Sequence, residues 1–134
     1  MALLDLSALE KAAASLRRGI DRSLAAPEDE ELRDAVIQRF EYTMDLSWKL
    51  IQRYLRLAGV PESEFRTKRD LFREAAKMDL VSDPVGWFAY HEARNSTSHI
   101  YNAEVAQAVY SRALEFMPAV SDLLNNLKKE MEND

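Results

Sequence analysis

A chain of 134 residues, 47% hydrophobic and 31% charged with a formal net charge of −5, has the length of one domain and buries roughly two thirds of its unfolded surface without covalent staples. It holds no cysteine, which excludes a disulfide scaffold, thiol catalysis and a thiolate metal site and fits a cytoplasmic protein. The acid excess argues against a surface that coats nucleic acid generally, and no DNA-binding role is expected.

The amino-terminal stretch MALLDLSALEKAAASLRRGI is broken by Asp5, Glu10 and Lys11, so it reads as mature protein rather than a leader. No apolar run approaches the roughly 20 residues that span a bilayer. Three glycines and four prolines leave long stretches free to be helical. In the first of these, Leu6, Leu9, Ala13, Leu16, Ile20 and Leu24 recur at threes and fours and draw one apolar stripe. Pro27 and the acids after it make a turn and suit a helix start.

The second helix carries Leu32, Val36, Phe40, Met44, Trp48, Ile51, Leu55 and Ala58 on one face, and Gly59 and Pro61 stop it. Its 28 or so residues span roughly 40 Å, a length normal for bundles. A short third helix follows Thr67, a capping residue with Asp70 three places on, and ends near Met78. Ser82 or Asp83 caps a fourth, with Pro84 in its first turn. The last starts after Asn102 and repeats Val105, Val109, Arg112, Phe116, Val120, Leu123, Leu127 and Met131; Pro118 inside it is expected to kink it. No strand pattern, repeat or low-complexity tract interrupts this. The expected fold is all-α, an antiparallel bundle of four to five helices, with residues 1–134 one domain.

Glycine-rich phosphate loops, paired metal-ligand histidines and the serine elbow of hydrolases are absent, and neither a metal nor a cofactor is expected. Two features remain. The first is the run from Phe65 to Lys77, where Arg66, Lys68, Arg69, Arg73 and Lys77 outnumber Asp70 and Glu74; it is either a solvated helix face or a phosphate-attracting patch, with Lys68, Arg69 and Arg73 as candidate phosphate or RNA contacts. The second is ARNSTSHIY, residues 93–101. On a continuous helix Arg94 and His99 lie roughly 140° apart around the axis and about 7.5 Å along it. Either the helix ends near Ser96 to Ser98, or a second chain completes the site. A histidine of ordinary pKa moves protons at neutral pH, and an arginine holds a phosphate with two hydrogen bonds. With Asn95 to orient one of them, this is equipment for cleaving RNA through its own 2′-hydroxyl.

Structural uses compete with that one: Arg94 could pair with Glu41 or Asp45 of the long helix, and His99 could cap a helix end. Asn95-Ser96-Thr97 also matches a glycosylation sequon, which has no meaning without a secretory route. Upstream on the same helix, Trp87, Phe88 and Tyr90 either fill the core or leave one face for a dimer contact, and His91 reads as a structural or rim residue.

Three stretches, IQRFEYTMDLSWKLIQRYL (37–55), LFREAAKMDLV (71–81) and ARNSTSHIYNAEVAQAVY (93–110), resemble the nucleotidyltransferase substrate-binding protein family, part of the HEPN superfamily of helical domains. The resemblance covers roughly residues 5 to 130, and Arg94, Asn95, His99 and Tyr101 meet its Arg-polar-x3-His-x-Tyr signature in full. It implies a HEPN-like bundle that forms a homodimer, with two copies of the motif facing one another across a groove. It further implies a minimal nucleotidyltransferase partner encoded nearby. In toxin–antitoxin pairs of this type the motif is a metal-independent endoribonuclease, and the transferase attaches nucleotides to the motif tyrosine, here Tyr101. The alternative within the family is a non-catalytic subunit that binds the substrate of a split transferase. The chain has no transferase signature of its own, so it is not the catalytic transferase subunit.

Overall fold

The computed structural model describes residues 4–132; the outermost residues of the expected 1–134 domain, including the first three of the segment read as mature protein, lie outside the described residues. Among the described residues five α-helices form an antiparallel bundle: α1 (Ser7–Ala25), α2 (Glu30–Leu57), α3 (Lys68–Lys77), α4 (Pro84–Asn95) and α5 (Ala103–Glu132). Short 3-10 turns precede α3 and follow α4. No strand occurs among the described residues, and none of these helices is long and apolar enough to cross a membrane.

Side chains named from the sequence set four of the five helix starts. Asp29 accepts from the backbone N–H of Glu31 and Leu32 at the start of α2, Thr67 from Asp70 at α3, Asp83 from Gly86 at α4, and Asn102 from Glu104 and Val105 at α5. Each satisfies amide hydrogens that the first helical turn leaves without a partner. At the end of α2 the chain reverses through Gly59 at φ +84°, with Val60 N–H bonding the Leu55 carbonyl and Gly59 N–H the Arg56 carbonyl. That doubly bonded reversal needs a left-handed residue, which glycine supplies at least cost. The end of α3 has the same pair of bonds, from Leu80 to Ala75 and from Asp79 to Ala76, but Asp79 takes the left-handed position at φ +60°.

The apolar stripes meet in one core. α1 and α2 pack as a hairpin, α5 lies against both, and α3 and α4 close the remaining side. At its centre Phe40 of α2 meets Phe116 of α5 edge to face, centroids 5.2 Å apart. Phe116 in turn touches Trp87 and Tyr90 of α4 at 5.4 Å each, and Trp87 stacks obliquely on Phe72 of α3 at 5.6 Å. This cluster links four helices and fixes where α4 lies. Trp87 and Tyr90 are therefore core-facing, and His91 packs its edge on Phe72.

Two expectations from periodicity are corrected. Leu24 is exposed, because it falls in the last turn of α1, where the chain turns away before α2 can cover it. Arg112 shares the spacing of the α5 stripe but lies at the surface, bonded to Glu115. α5 continues without a break through Pro118 from Ala103 to Glu132.

Candidate functional site

The motif occupies the elbow between α4 and α5. α4 ends at Asn95, and Ser96–His99 tighten into a 3-10 turn, the first of the two ways the sequence allowed for the Arg-x4-His spacing. His99 carbonyl then accepts from Asn102 N–H, and Asn102 caps α5. His99 thus stands at the corner of the elbow, with Asn95 and Tyr101 also exposed on it.

Arg94 points inward to α2. Its Nε and one terminal nitrogen grip both oxygens of Asp45 at 2.7 and 2.9 Å, and its other terminal nitrogen reaches Glu41 at 3.2 Å and the Thr97 hydroxyl at 3.4 Å. Glu41 and Asp45 are four apart on α2 and present one acidic face to α4, which is why a single guanidinium spans them. Thr97 is buried; its hydroxyl lies within hydrogen-bonding reach of the Glu41 carboxylate and of the Arg94 carbonyl, the latter at 2.8 Å. These contacts tie the 3-10 turn to α2. The cluster holds two carboxylates against one guanidinium, so one negative charge is in excess.

No hydrogen bond joins Arg94 to His99 among the described residues. His99 instead faces Tyr101, its Nδ1 3.4 Å from the phenol oxygen and the two rings nearly perpendicular at 5.9 Å. Tyr101 is 85% exposed, the most open large hydrophobic side chain among the described residues. The structure therefore separates the predicted set in two: Arg94 inside an ion-pair cluster, and Asn95, His99 and Tyr101 on the outer corner. No group of three or more His, Cys, Asp or Glu side chains among the described residues converges closely enough to hold a metal ion.

The other predicted contacts lie on the adjoining face. Lys68 places its ammonium 3.8 Å above the Trp48 ring, and Arg69 and Arg73 hold their guanidinium carbons 4.8 and 5.3 Å from Phe88. Sequence reasoning did not find Thr97, which it met only within a sequon, and named Glu41 and Asp45 only as competitors for Arg94. The four-residue spacing of those two acids on α2 was the available signal.

Two ionisable groups here couple stability to pH. Burial raises the Asp45 carboxyl, but the hydrogen bonds and charge of Arg94 outweigh it, helped by the Trp48 indole and Lys49, and the net pKa is lowered. Burial lowers His91, and the charges of Lys68 and Arg94 lower it further. Both folded values lie below the unfolded ones, so in both cases the unfolded chain binds the proton first as pH falls. Stability is thus complete above about pH 6.5, decreases below it through His91, and decreases again below about 3.9 through Asp45. Thermal melts across that range are expected to show both limbs, and His91→Gln should remove the upper one.

The antiparallel all-helical bundle is of the HEPN-like class of helical domains. The chain belongs to the family described as nucleotidyltransferase substrate binding protein like, whose profile matches residues 4–129. Among curated proteins it is 35% identical over 100 residues to a Haemophilus influenzae protein named "Probable ribonuclease HepT", covering 73% of this chain and 68% of the relative. Among solved structures it resembles a protein of the same organism, reported to reveal the fold of a substrate binding domain of a nucleotidyltransferase. That match has a TM-score of 0.82 and 31% identity over 92% of this chain and 99% of the other. A Thermus thermophilus crystal structure matches with a TM-score of 0.70 and 30% identity, over 89% and 98% of the two chains.

Proposed function

We propose that this chain is the helical partner of a minimal nucleotidyltransferase and is itself a metal-independent endoribonuclease, acting as a homodimer in the cytoplasm. The observation that supports the reading is the outer corner of the elbow: an exposed imidazole beside an exposed amide and an exposed phenol, the residues that meet the signature the sequence resembles. His99 takes the proton from an RNA 2′-hydroxyl. The freed oxygen attacks the adjacent phosphorus, the bond to the 5′-oxygen breaks, and that oxygen leaves with a proton from an imidazolium. The products are a 2′,3′-cyclic phosphate and a 5′-hydroxyl. Asn95 orients the phosphate, and Arg94 offsets the charge that builds on it. Tyr101 is the nucleotidylation target. Its hydroxyl stands beside His99, so an added nucleotide would lie over the base and stop the reaction.

One observation favours the second reading, a non-catalytic substrate-binding subunit. Arg94 is already engaged by Asp45 and Glu41, and a phosphate would have to displace a carboxylate from a cluster that carries excess negative charge. The two readings separate in one experiment: RNA incubated with the purified protein in chelator. Fragments ending in 2′,3′-cyclic phosphate support the ribonuclease; intact RNA together with a stable complex with the transferase supports the binding subunit.

A further inference from the structure

We infer that the face made by α3 with the half-buried rings of Trp48 and Phe88 is a seat for single-stranded RNA that leads into the Arg94–His99 elbow. This rests on the ribonuclease reading and names how its substrate is held.

Charge is the first ground. Within residues 65–77 positive side chains exceed negative ones by three, in a chain of net charge −5, so this segment is locally basic and attracts a polyanion that the chain as a whole repels. The second ground is preorganisation. Trp48 carries the Lys68 ammonium, and Phe88 carries the guanidinium groups of Arg69 and Arg73. Long cationic side chains usually lose rotamer freedom on binding; here aromatic faces already hold three of them. Yet the Arg69 and Arg73 side chains remain 58% and 55% exposed, so N–H groups are available to phosphate.

The acids that pair with them are weak competitors. Arg69 bonds Glu92 at 3.3 Å and Arg73 bonds Asp70 at 3.4 Å, with Asp70 partly exposed and the other three side chains largely open to water. Such exposed pairs contribute about 0–1 kcal/mol and exchange readily for a bidentate phosphate.

Continuity with the motif is the third ground, and it decides for RNA over an acidic protein. Trp48 lies one helical turn from Asp45, the residue that grips Arg94. On the other side, Glu92, the partner of Arg69, has its carbonyl bonded to the Ser96 hydroxyl at the start of the 3-10 turn. The α3 cations and the elbow are thus joined through α2 and α4, by Trp48 beside Asp45 and by Glu92 beside Ser96. Alternating cations and aromatic rings suit phosphates and stacked bases of a single strand. An acidic protein would use the charges but has no need of the rings or of the route to His99.

The test uses the full chain carrying His99→Ala, so that RNA is bound without being cut, and a 5′-fluorescent single-stranded RNA of mixed sequence read by anisotropy. Lys68→Glu, Arg69→Glu and Arg73→Glu are added together. The comparison protein instead carries Arg17→Glu, Arg18→Glu and Arg22→Glu on α1, the same change in charge at another surface. The α3 variant is expected to bind at least about ten-fold more weakly and with a shallower salt dependence, the α1 variant much less so. Equal weakening in both, unchanged binding in the α3 variant, or no RNA binding by the parent overturns the proposal. So does loss of transferase binding in the α3 variant with RNA binding intact, which would assign the face to a protein. RNA cleavage by the unaltered chain is scored separately: an inert parent that binds through α3 sinks the ribonuclease and leaves the seat, and an active parent indifferent to α3 does the reverse.

Discussion

Arg94→Ala is expected to destabilise the fold by about 1–3 kcal/mol and to lower RNA cleavage by about 10²–10³-fold. The stability loss has a definite origin. Asp45 and Glu41 face α4 with the guanidinium between them, and its removal leaves two carboxylates four apart on one helix with no cation between them. The Arg94 and Asp45 side chains are 29% and 30% exposed, so water recovers part of the loss and the figure falls short of a fully buried pair. Thr97 would keep its bond to the Arg94 carbonyl but lose the guanidinium, loosening the turn that carries His99. Arg94→Lys keeps the charge without the two-pronged grip on Asp45 and should recover more stability than activity. Urea denaturation with unchanged slope checks the first effect. A cycle with Asp45→Asn checks its origin, because the two changes together should cost less than their sum.

Phe40→Ala is expected to cost more, about 3–5 kcal/mol, of the order of a large core truncation. A domain of this size has about 5–15 kcal/mol in total, so the variant should sit near the edge of folding. Phe40 is fully buried and meets Phe116 edge to face; Phe116 is the ring against which Trp87 and Tyr90 of α4 rest. A cavity there loosens the seat of the helix that carries Arg94, so activity should fall along with the urea midpoint. Phe40→Leu, which keeps most of the volume, should be milder on both counts.

Local signals showed much of this fold in the sequence. Thr67, Asp83 and Asn102 mark helix starts because a short polar side chain can reach back to free amides, and Gly59 marks a stop because the reversal needs a positive φ. The end of α3 has no such mark: Asp79 takes the left-handed position that glycine takes after α2. Leu24 misleads because periodicity knows the face of a helix but not where its neighbour stops. At the site, Arg94, Asn95, His99 and Tyr101 were legible as a motif, and Glu41 and Asp45 as alternatives. The inward turn of Arg94 was not, since it depends on how α4 lies across α2. Thr97 was hidden for the same reason: a serine–threonine run reads as solvent-facing until packing buries one hydroxyl. The cations of α3 were visible as a basic run, but their seats on Trp48 and Phe88 arise from α2, α3 and α4 meeting.

The central claim is that an exposed His99 cuts RNA without a metal. The most direct measurement follows a labelled RNA in chelator with the parent chain and with His99→Ala, purified side by side and matched in melting temperature. Cleavage by the parent, reduced by about 10²–10⁴-fold in the variant, is the expected result. Equal cleavage by both would mean that another group or a contaminant does the work, and equal inertness of two folded proteins would assign the elbow to binding rather than catalysis; either contradicts the account.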